Sequence, residues 1–282
     1  MRKYTMKDFE REFPNDDACL AWIKEHRWPK GITCVKCQRI TKHHKVSGRP
    51  CYECDYCGTQ VYPTAGTIFH KSATPLKTWF QAIYRMSSTR CGISAKQIQR
   101  ETGVTYKTAW RMFKQIRTLL NETGNMLSGK VEADETYFGA RRAGKRGRGA
   151  GSKVIVAGVV QRHDRVIATK VPDVKTATLM PLIQQNVSPN STVFTDEFSS
   201  YYALESMGYN HQTIPHGEKV YVMGDVHINT IDGFWSLVKR GIGGVYHSVS
   251  PDYLQSYVNE YSFRYNHRKD ESPMFQTFLN RI

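Results

Sequence analysis

Val131-Glu132-Ala133-Asp134-Glu135-Thr136-Tyr137-Phe138 has the length and the β-branched and aromatic content of a strand, with acids set into it. A carboxylate in so apolar a run is costly unless it binds something, so Asp134 is read as a candidate metal ligand. Glu132 shares its strand face, because side chains alternate with a period of two; it is either a minor metal ligand or an exposed neighbour, and the exposed reading is preferred. A second run, Ser191-Thr192-Val193-Phe194-Thr195-Asp196, ends on another acid. A third acid, Asp232, opens the helical stretch Ile231-Asp232-Gly233-Phe234-Trp235-Ser236-Leu237-Val238-Lys239-Arg240. Lys239 follows it by seven positions, two helical turns on and on the same face.

Around these acids the order of elements is readable. Strands at 131–138, 154–160 and 166–171 precede a helix near 176–187 and the strand ending at Asp196. A helix near 199–207, a strand near 210–215 and a helical region beyond 229, broken around 241–250, complete it. This is the RNase H-like order, a five-stranded mixed sheet with helices. Such a sheet sets the centre of its first strand beside the end of its fourth, bringing Asp134 and Asp196 together. Carboxylates from separate elements, with a cation beyond the last, suit two-metal phosphoryl chemistry on DNA. Magnesium, or manganese in its place, takes hard oxygen ligands and keeps several waters, so two or three carboxylates suffice. Asp196 is equally placed to cap the following helix, and Asn229 and Asp232 to be an N-cap and its N3 partner. Either Asn229 or Asp232 completes the metal set, and Lys239 holds a phosphate or complements the helix C-terminus.

The N-terminal part is of another kind. Cys34-Val35-Lys36-Cys37 and Cys54-Asp55-Tyr56-Cys57-Gly58 are two knuckles separated by 16 residues, a spacing that reads as a zinc ribbon. Cys51 also pairs with Cys54 as a CxxC. The pair Cys54 and Cys57 is preferred because Gly58 follows at once, as a tight ligand turn requires. An odd total of seven cysteines argues for metal ligation over a disulfide framework.

Between ribbon and sheet, 76–86 reads as a helix, and 94–113 as a short helix, a turn at Gly103 and a second helix capped by Thr105. In a helix-turn-helix so built, Tyr106, Lys107, Thr108 and Arg111 face the major groove, with Ala109, Trp110 and Phe113 nearer the core. The loop from Arg141 to Lys153 holds six basic residues (Arg141, Arg142, Lys145, Arg146, Arg148, Lys153), four glycines and no acid. With Arg240, it suits a phosphate track. The whole chain of 282 residues carries a net charge of +15, which matches a polyanion such as double-stranded DNA. No run of about 18 apolar residues argues for a membrane span, and the N-terminus lacks the apolar core of a signal peptide. A cytoplasmic protein is expected.

The expected architecture is therefore α+β and multidomain: an N-terminal helix and zinc ribbon over 1–70, a helix-turn-helix segment over 71–125, and an RNase H-like domain over 126–282.

Several blocks carry a resemblance. The cysteine pairs, Thr64-Ala65-Gly66-Thr67-Ile68-Phe69, Asp134-Glu135-Thr136-Tyr137-Phe138-Gly139, Thr195-Asp196, Phe263-Arg264-Tyr265-Asn266 and above all 227–241 resemble bacterial insertion-sequence transposases of the ISXO type. These join a zinc ribbon to an RNase H-like DDE domain. The resemblance implies DNA transposition: divalent metal on Asp134, Asp196 and a third residue, cleavage at element ends, and strand transfer into target DNA. It also implies a homodimer or higher oligomer, since two ends must be held together. The chain departs from the family at Asp232, where Glu is usual. Some members carry Asn as the third residue, which keeps Asn229 in play. A DNA-binding regulator that has lost catalysis is the competing reading.

Overall fold

The computed structural model describes residues 4–122, 124, 126–139, 153–218 and 220–282. Arg141, Arg142, Lys145, Arg146 and Arg148, read above as a phosphate track, lie outside the described residues. Two compact units divide the chain: Met1–Leu119 with Asp270–Ile282, and Leu120–Lys269.

In the first unit, helices α1 (Met6–Glu12) and α2 (Asp16–Arg27) begin at side-chain caps. Thr5 and Asp8 form a reciprocal capping box on α1, and the Asn15 carboxamide accepts from Ala18 N on α2. The ribbon follows as a hairpin of β1 (Thr33–Cys34) and β2 (Arg39–Ile40), then an antiparallel sheet of β3 (His43–Lys45), β4 (Tyr52–Cys54) and β5 (Gln60–Val61). Three helices come next: α3 (Leu76–Ser88), α4 (Ala95–Thr102) and α5 (Tyr106–Thr118). Between α4 and α5, Gly103 is left-handed at φ +72° and its N–H donates to Gln99 O; Thr105 then accepts from Thr108 N at 3.2 Å. The turn anticipated at Gly103 and the cap at Thr105 are both present.

The second unit is a five-stranded sheet. Its strands are β6 (Lys130–Phe138), β7 (Val154–Gln161), β8 (Val166–Val171), β9 (Thr192–Asp196) and β10 (Asn210–Ile214), in the order β10-β9-β6-β7-β8. The three strands β6, β7 and β8 run antiparallel in succession, whereas β9 lies parallel to both β6 and β10. Helices α6 (Thr176–Asn186), α7 (Asn229–Gly241) and α8 (Leu254–Asn266) cover the two faces. Alternation sorts β6 between them: Val131 and Ala133 enter the core shared with Leu179 and Ile183 of α6, while Phe138 enters the core shared with Phe234, Trp235 and Val238 of α7. Even-numbered residues of β6 therefore face α7. Ser199–Met207, expected as a helix, is one of 3-10 type.

The outer edge of β8 is closed by side chains of α8. Gln255 accepts from Lys170 N at 2.6 Å and donates to Ala168 O at 3.0 Å; Asn266 accepts from Val166 N at 2.8 Å and donates to Val166 O at 3.1 Å. Two carboxamides, three helical turns apart, thus stand in for a sixth strand, which protects an edge that would otherwise pair with another chain. Val166 is buried, so Asn266→Ala strands a backbone N–H and C=O away from water. A loss of about 2–4 kcal/mol is expected in chemical denaturation of the second unit. A loss under about 0.5 kcal/mol would mean that water replaces the amide.

The last helix, α9 (Met274–Leu279), belongs to the first unit and packs on α3. Phe275 meets Tyr84 edge-on at 5.6 Å between ring centres, and Phe9 and Phe13 close the same cluster.

Candidate functional site

In the ribbon, the position after each second cysteine is left-handed, Gln38 at φ +54° and Gly58 at φ +70°. Gln38 N donates to Cys34 O and Gly58 N to Cys54 O, folding each knuckle so that both thiols point inward. The ligand atoms of Cys34, Cys37, Cys54 and Cys57 lie within 4.8 Å of one another. Cys34 Sγ is 3.5 Å from Cys57 Sγ, and Cys37 Sγ is 3.9 Å from Cys54 Sγ. A tetrahedral zinc with Zn–S of about 2.3 Å demands edges of about 3.8 Å, so this donor set fits zinc. The crowded thiols pull in opposite directions: Cys54 is held down at about 6, chiefly by the Thr41 hydroxyl, and Cys37 is pushed up to about 12, chiefly by its hydrogen bond with Cys57; the fit to zinc rests on the geometry. Cys51 turns away, its thiol 3.8 Å from Gln60 Oε1.

The acids of the second unit converge by a different logic. The parallel register of β6 on β9 pairs Glu132 with Phe194, and two residues further on along each strand come Asp134 and Asp196. Both point to the face that α7 covers, where Asp232 stands on the first turn of that helix. Burial, then the charges of Glu135, Asp232 and Asp196, push the Asp134 carboxyl up to about 8. Trp235 Nε1 donates to Asp134 Oδ2 at 3.0 Å. One oxygen of Asp196 accepts from Phe198 N at 3.0 Å, closing a tight turn ahead of the 3-10 helix, whose N-cap is Phe198 without a side-chain bond; the capping role weighed for Asp196 is therefore not what the helix uses. Asn229, Asp232, Lys239 and Arg240 are exposed.

Room for the indole comes from β7. Gly158 pairs with Asp134 across the β6–β7 ladder, and a Cβ there would come within 2.8 Å of Cη2 and Cζ2 of Trp235. Rings cannot bend aside, so Gly158→Ala has to displace Trp235. We expect a loss of roughly 1–3 kcal/mol and a shift in tryptophan emission as the indole leaves Asp134. An unchanged spectrum and stability would contradict the contact.

Glu132, expected to be exposed, is fully buried. Its Oε1 accepts from Arg162 Nε at 2.7 Å and from Thr230 Oγ1 at 2.9 Å; its Oε2 accepts from Thr230 N at 2.8 Å and Ile231 N at 3.0 Å. The α7 N-terminus has no cap from its own chain segment: Ile228 occupies that position without a side-chain bond. The pairing of Asn229 as N-cap with Asp232 as N3 partner is therefore not what the helix uses. On the opposite face of β6, buried Glu135 accepts from Tyr201 OH at 2.9 Å.

On α5, Tyr106, Lys107 and Arg111 are exposed and Thr108 half-buried, whereas Ala109 and Phe113 are buried and Trp110 partly so. Lys96 Nζ lies 5.0 Å from the Tyr106 ring centre, and Arg111 Nη2 donates to Ser72 Oγ at 3.2 Å. Lys153, half-buried, directly precedes β7.

A family described as the ISXO2-like transposase domain matches residues 126–266, and one described as the transposase zinc-ribbon domain matches residues 14–60. The chain belongs to the ISXO2-like transposases. An uncharacterized protein in transposable element ISH50 of Halobacterium salinarum is 31% identical over 277 residues, covering 90% of this chain and 92% of that protein. An uncharacterized transposase-like protein of Haemophilus influenzae is 32% identical over 108 residues, 38% of this chain and 86% of that one. Among solved structures, a chain from a simian T-cell lymphotropic virus intasome in complex with PP2A regulatory subunit B56 gamma matches at a TM-score of 0.32. It is 13% identical over 58% of this chain and 63% of that chain, a likeness too distant to carry any argument.

Proposed function

We propose that this ISXO2-like transposase binds the ends of its insertion sequence as double-stranded DNA, cleaves them and transfers the strands to target DNA, using divalent metal at Asp134, Asp196 and Asp232 or Asn229. The observation that carries this reading is the alignment of Asp134 with Asp196 across β6 and β9, beneath the helix that bears Asp232. The donor set is of the kind Mg²⁺ or Mn²⁺ takes, hard oxygens from three elements; burial first, then the charges of Glu135, Asp232 and Asp196, hold Asp134 near 8. A cation relieves that repulsion. Among the described residues the three acids do not form a ready-made cluster as the four thiols do, so binding a cation has to draw them together. When bound, such ions activate the attacking oxygen and stabilise the leaving one.

The chain's own groups divide the remaining work. Trp235 orients Asp134 through its bond to Oδ2. Lys239 and Arg240, two turns down the exposed side of α7, are placed to hold DNA phosphate. Tyr106, Lys107, Thr108 and Arg111 are assigned to the major groove, and Arg141, Arg142, Lys145, Arg146, Arg148 and Lys153 to the backbone. Zinc on Cys34, Cys37, Cys54 and Cys57 holds the ribbon. We keep the division proposed from sequence, ribbon 1–70, helix-turn-helix 71–125 and catalytic domain 126–282, with one change: residues 270–282 group with the first unit and not with the catalytic domain. None of the described helices is long and apolar enough to cross a membrane, and we place the protein in the cytoplasm. Two ends must be held at once, so the active species on DNA is a dimer or larger; a monomeric synaptic complex by light scattering would contradict this.

The test is nicking of element-end duplexes with Mg²⁺ or Mn²⁺, comparing Asp232→Ala with Asn229→Ala. Loss of activity in one and not the other identifies the third ligand. Binding without nicking under any divalent metal would favour a regulator that has lost catalysis.

A further inference from the structure

Glu132 is absent from the catalytic assignment, yet its carboxylate is among the most completely engaged in the second unit. It is fully buried and accepts four hydrogen bonds, enough to occupy both oxygens. Two of those donors are the backbone N–H groups of Thr230 and Ile231, in the first turn of α7. A carboxylate at a helix N-terminus satisfies orphan donors and complements the dipole. Here it reaches across from a strand 98 residues earlier in the chain.

Arg162 completes the arrangement. With a side chain 7% exposed, it donates Nε to Glu132, Nη1 to Asp225 O at 2.9 Å and Nη2 to His227 O at 2.8 Å, tying down the segment that leads into α7. Its guanidinium stacks 4.1 Å from the ring centre of Phe194 on β9. One buried pair thus touches each of the three acid-bearing elements, in each case including the residue two before the acid. Glu132 precedes Asp134 on β6, Phe194 precedes Asp196 on β9, and Thr230 precedes Asp232 on α7. At the far side, Trp235 ties α7 back to Asp134. The helix is gripped at its first turn and again about one turn later, which sets both its rotation and its depth.

We propose that Glu132 is a positioning residue for the metal site: clamped by Arg162, it holds the N-terminus of α7 and so determines where Asp232 stands relative to Asp134 and Asp196. This rests on the metal reading given above. A plain buried ion pair would serve stability alone. A positioning residue also governs how well the three acids share a cation.

The measurement is Mn²⁺ affinity of the full chain, from the free-ion electron paramagnetic resonance signal, with thermal unfolding and zinc content followed in parallel. Glu132→Gln keeps the size but loses the charge; Thr230→Val removes one hydroxyl donor and leaves the Glu132–Arg162 pair intact. We expect Mn²⁺ affinity to fall at least tenfold in Glu132→Gln and two- to fivefold in Thr230→Val, with zinc unchanged at one per chain. Should Glu132→Gln fail to fold, Thr230→Val carries the test alone. Wild-type affinity in the folded variants would overturn the positioning role, provided that Asp134→Asn abolishes Mn²⁺ binding in the same assay. Wild-type protein with no Asp134-dependent Mn²⁺ binding would overturn the metal reading and this proposal with it.

Discussion

Asp134→Asn is expected to lower metal-dependent nicking by at least a thousandfold while leaving DNA binding within a factor of two or three. The size follows from chemistry: removing a shared metal ligand costs several kcal/mol of transition-state stabilisation, and each ~1.4 kcal/mol is tenfold in rate. The same substitution has an opposite effect on the metal-free fold. Asp134 is raised to about 8 by burial and by the neighbouring acids, against an ordinary carboxylate value in the unfolded chain. Between those two values the native state keeps a proton that the unfolded state has lost. Stability contributed by this group is therefore full below about pH 4, falls as pH rises, and levels off above about 8. Asparagine mimics the protonated acid and removes that slope. At pH 8.5 without divalent metal the variant should unfold at a higher temperature than wild type, and at pH 4 the two should coincide. Mn²⁺ should then raise the wild type and not the variant. Retained nicking in Asp134→Asn, or a variant less stable than wild type at pH 8.5, would remove Asp134 from the site.

What the sequence disclosed, and what it hid, divides by distance along the chain. Strand limits came through closely, because alternation and turn residues are local: the run 131–138 became Lys130–Phe138, and 166–171 became Val166–Val171. The choice of Cys54 over Cys51 rested on Gly58, whose positive φ the knuckle does use. The caps at Gly103 and Thr105 were local as well. Glu132 was misjudged because its partners are not. Arg162 arrives through the antiparallel pairing of β7 with β6, which sets Gln161 opposite Val131, and Thr230 through a helix folded over the sheet. Read alone, an acid two residues from another on one strand face looks solvated; only the tertiary contact makes burial affordable. Trp235 was hidden for a similar reason. On an amphipathic helix it reads as core, and its hydrogen bond to Asp134 depends on Gly158 in a third element leaving room for the ring. The 3-10 geometry of Ser199–Met207 was equally out of reach, since the tight turn that Asp196 makes with Phe198 N is not written in helical periodicity.

Removing zinc should unfold the ribbon. Its strands are two or three residues long, and its buried side chains are few: Ile32, Thr41, Tyr52, Cys34, Cys51 and Cys54. So little apolar area cannot offset the ordering of some thirty residues, whereas zinc contributes on the order of 10–16 kcal/mol in zinc-finger peptides. Cys54→Ser is expected to lose bound zinc and to expose residues 28–62 to proteolysis, with the sheet of the second unit still resistant. Cys51→Ser provides the contrast. Its thiol is as buried as that of Cys34 but faces Gln60 and not the cluster, so the variant should keep one zinc per chain and lose only about 1 kcal/mol. Zinc per chain decides between the two CxxC pairings directly. A Cys51→Ser protein without zinc would transfer the ligand role to Cys51 and undo the knuckle geometry at Gly58; a Cys54→Ser protein with full zinc would do the same from the other side. The expected pattern, zinc lost with Cys54 and kept without Cys51, follows from the turn: only a cysteine three residues before Cys57, with its carbonyl accepting from Gly58 N, can aim both thiols of that knuckle at one ion.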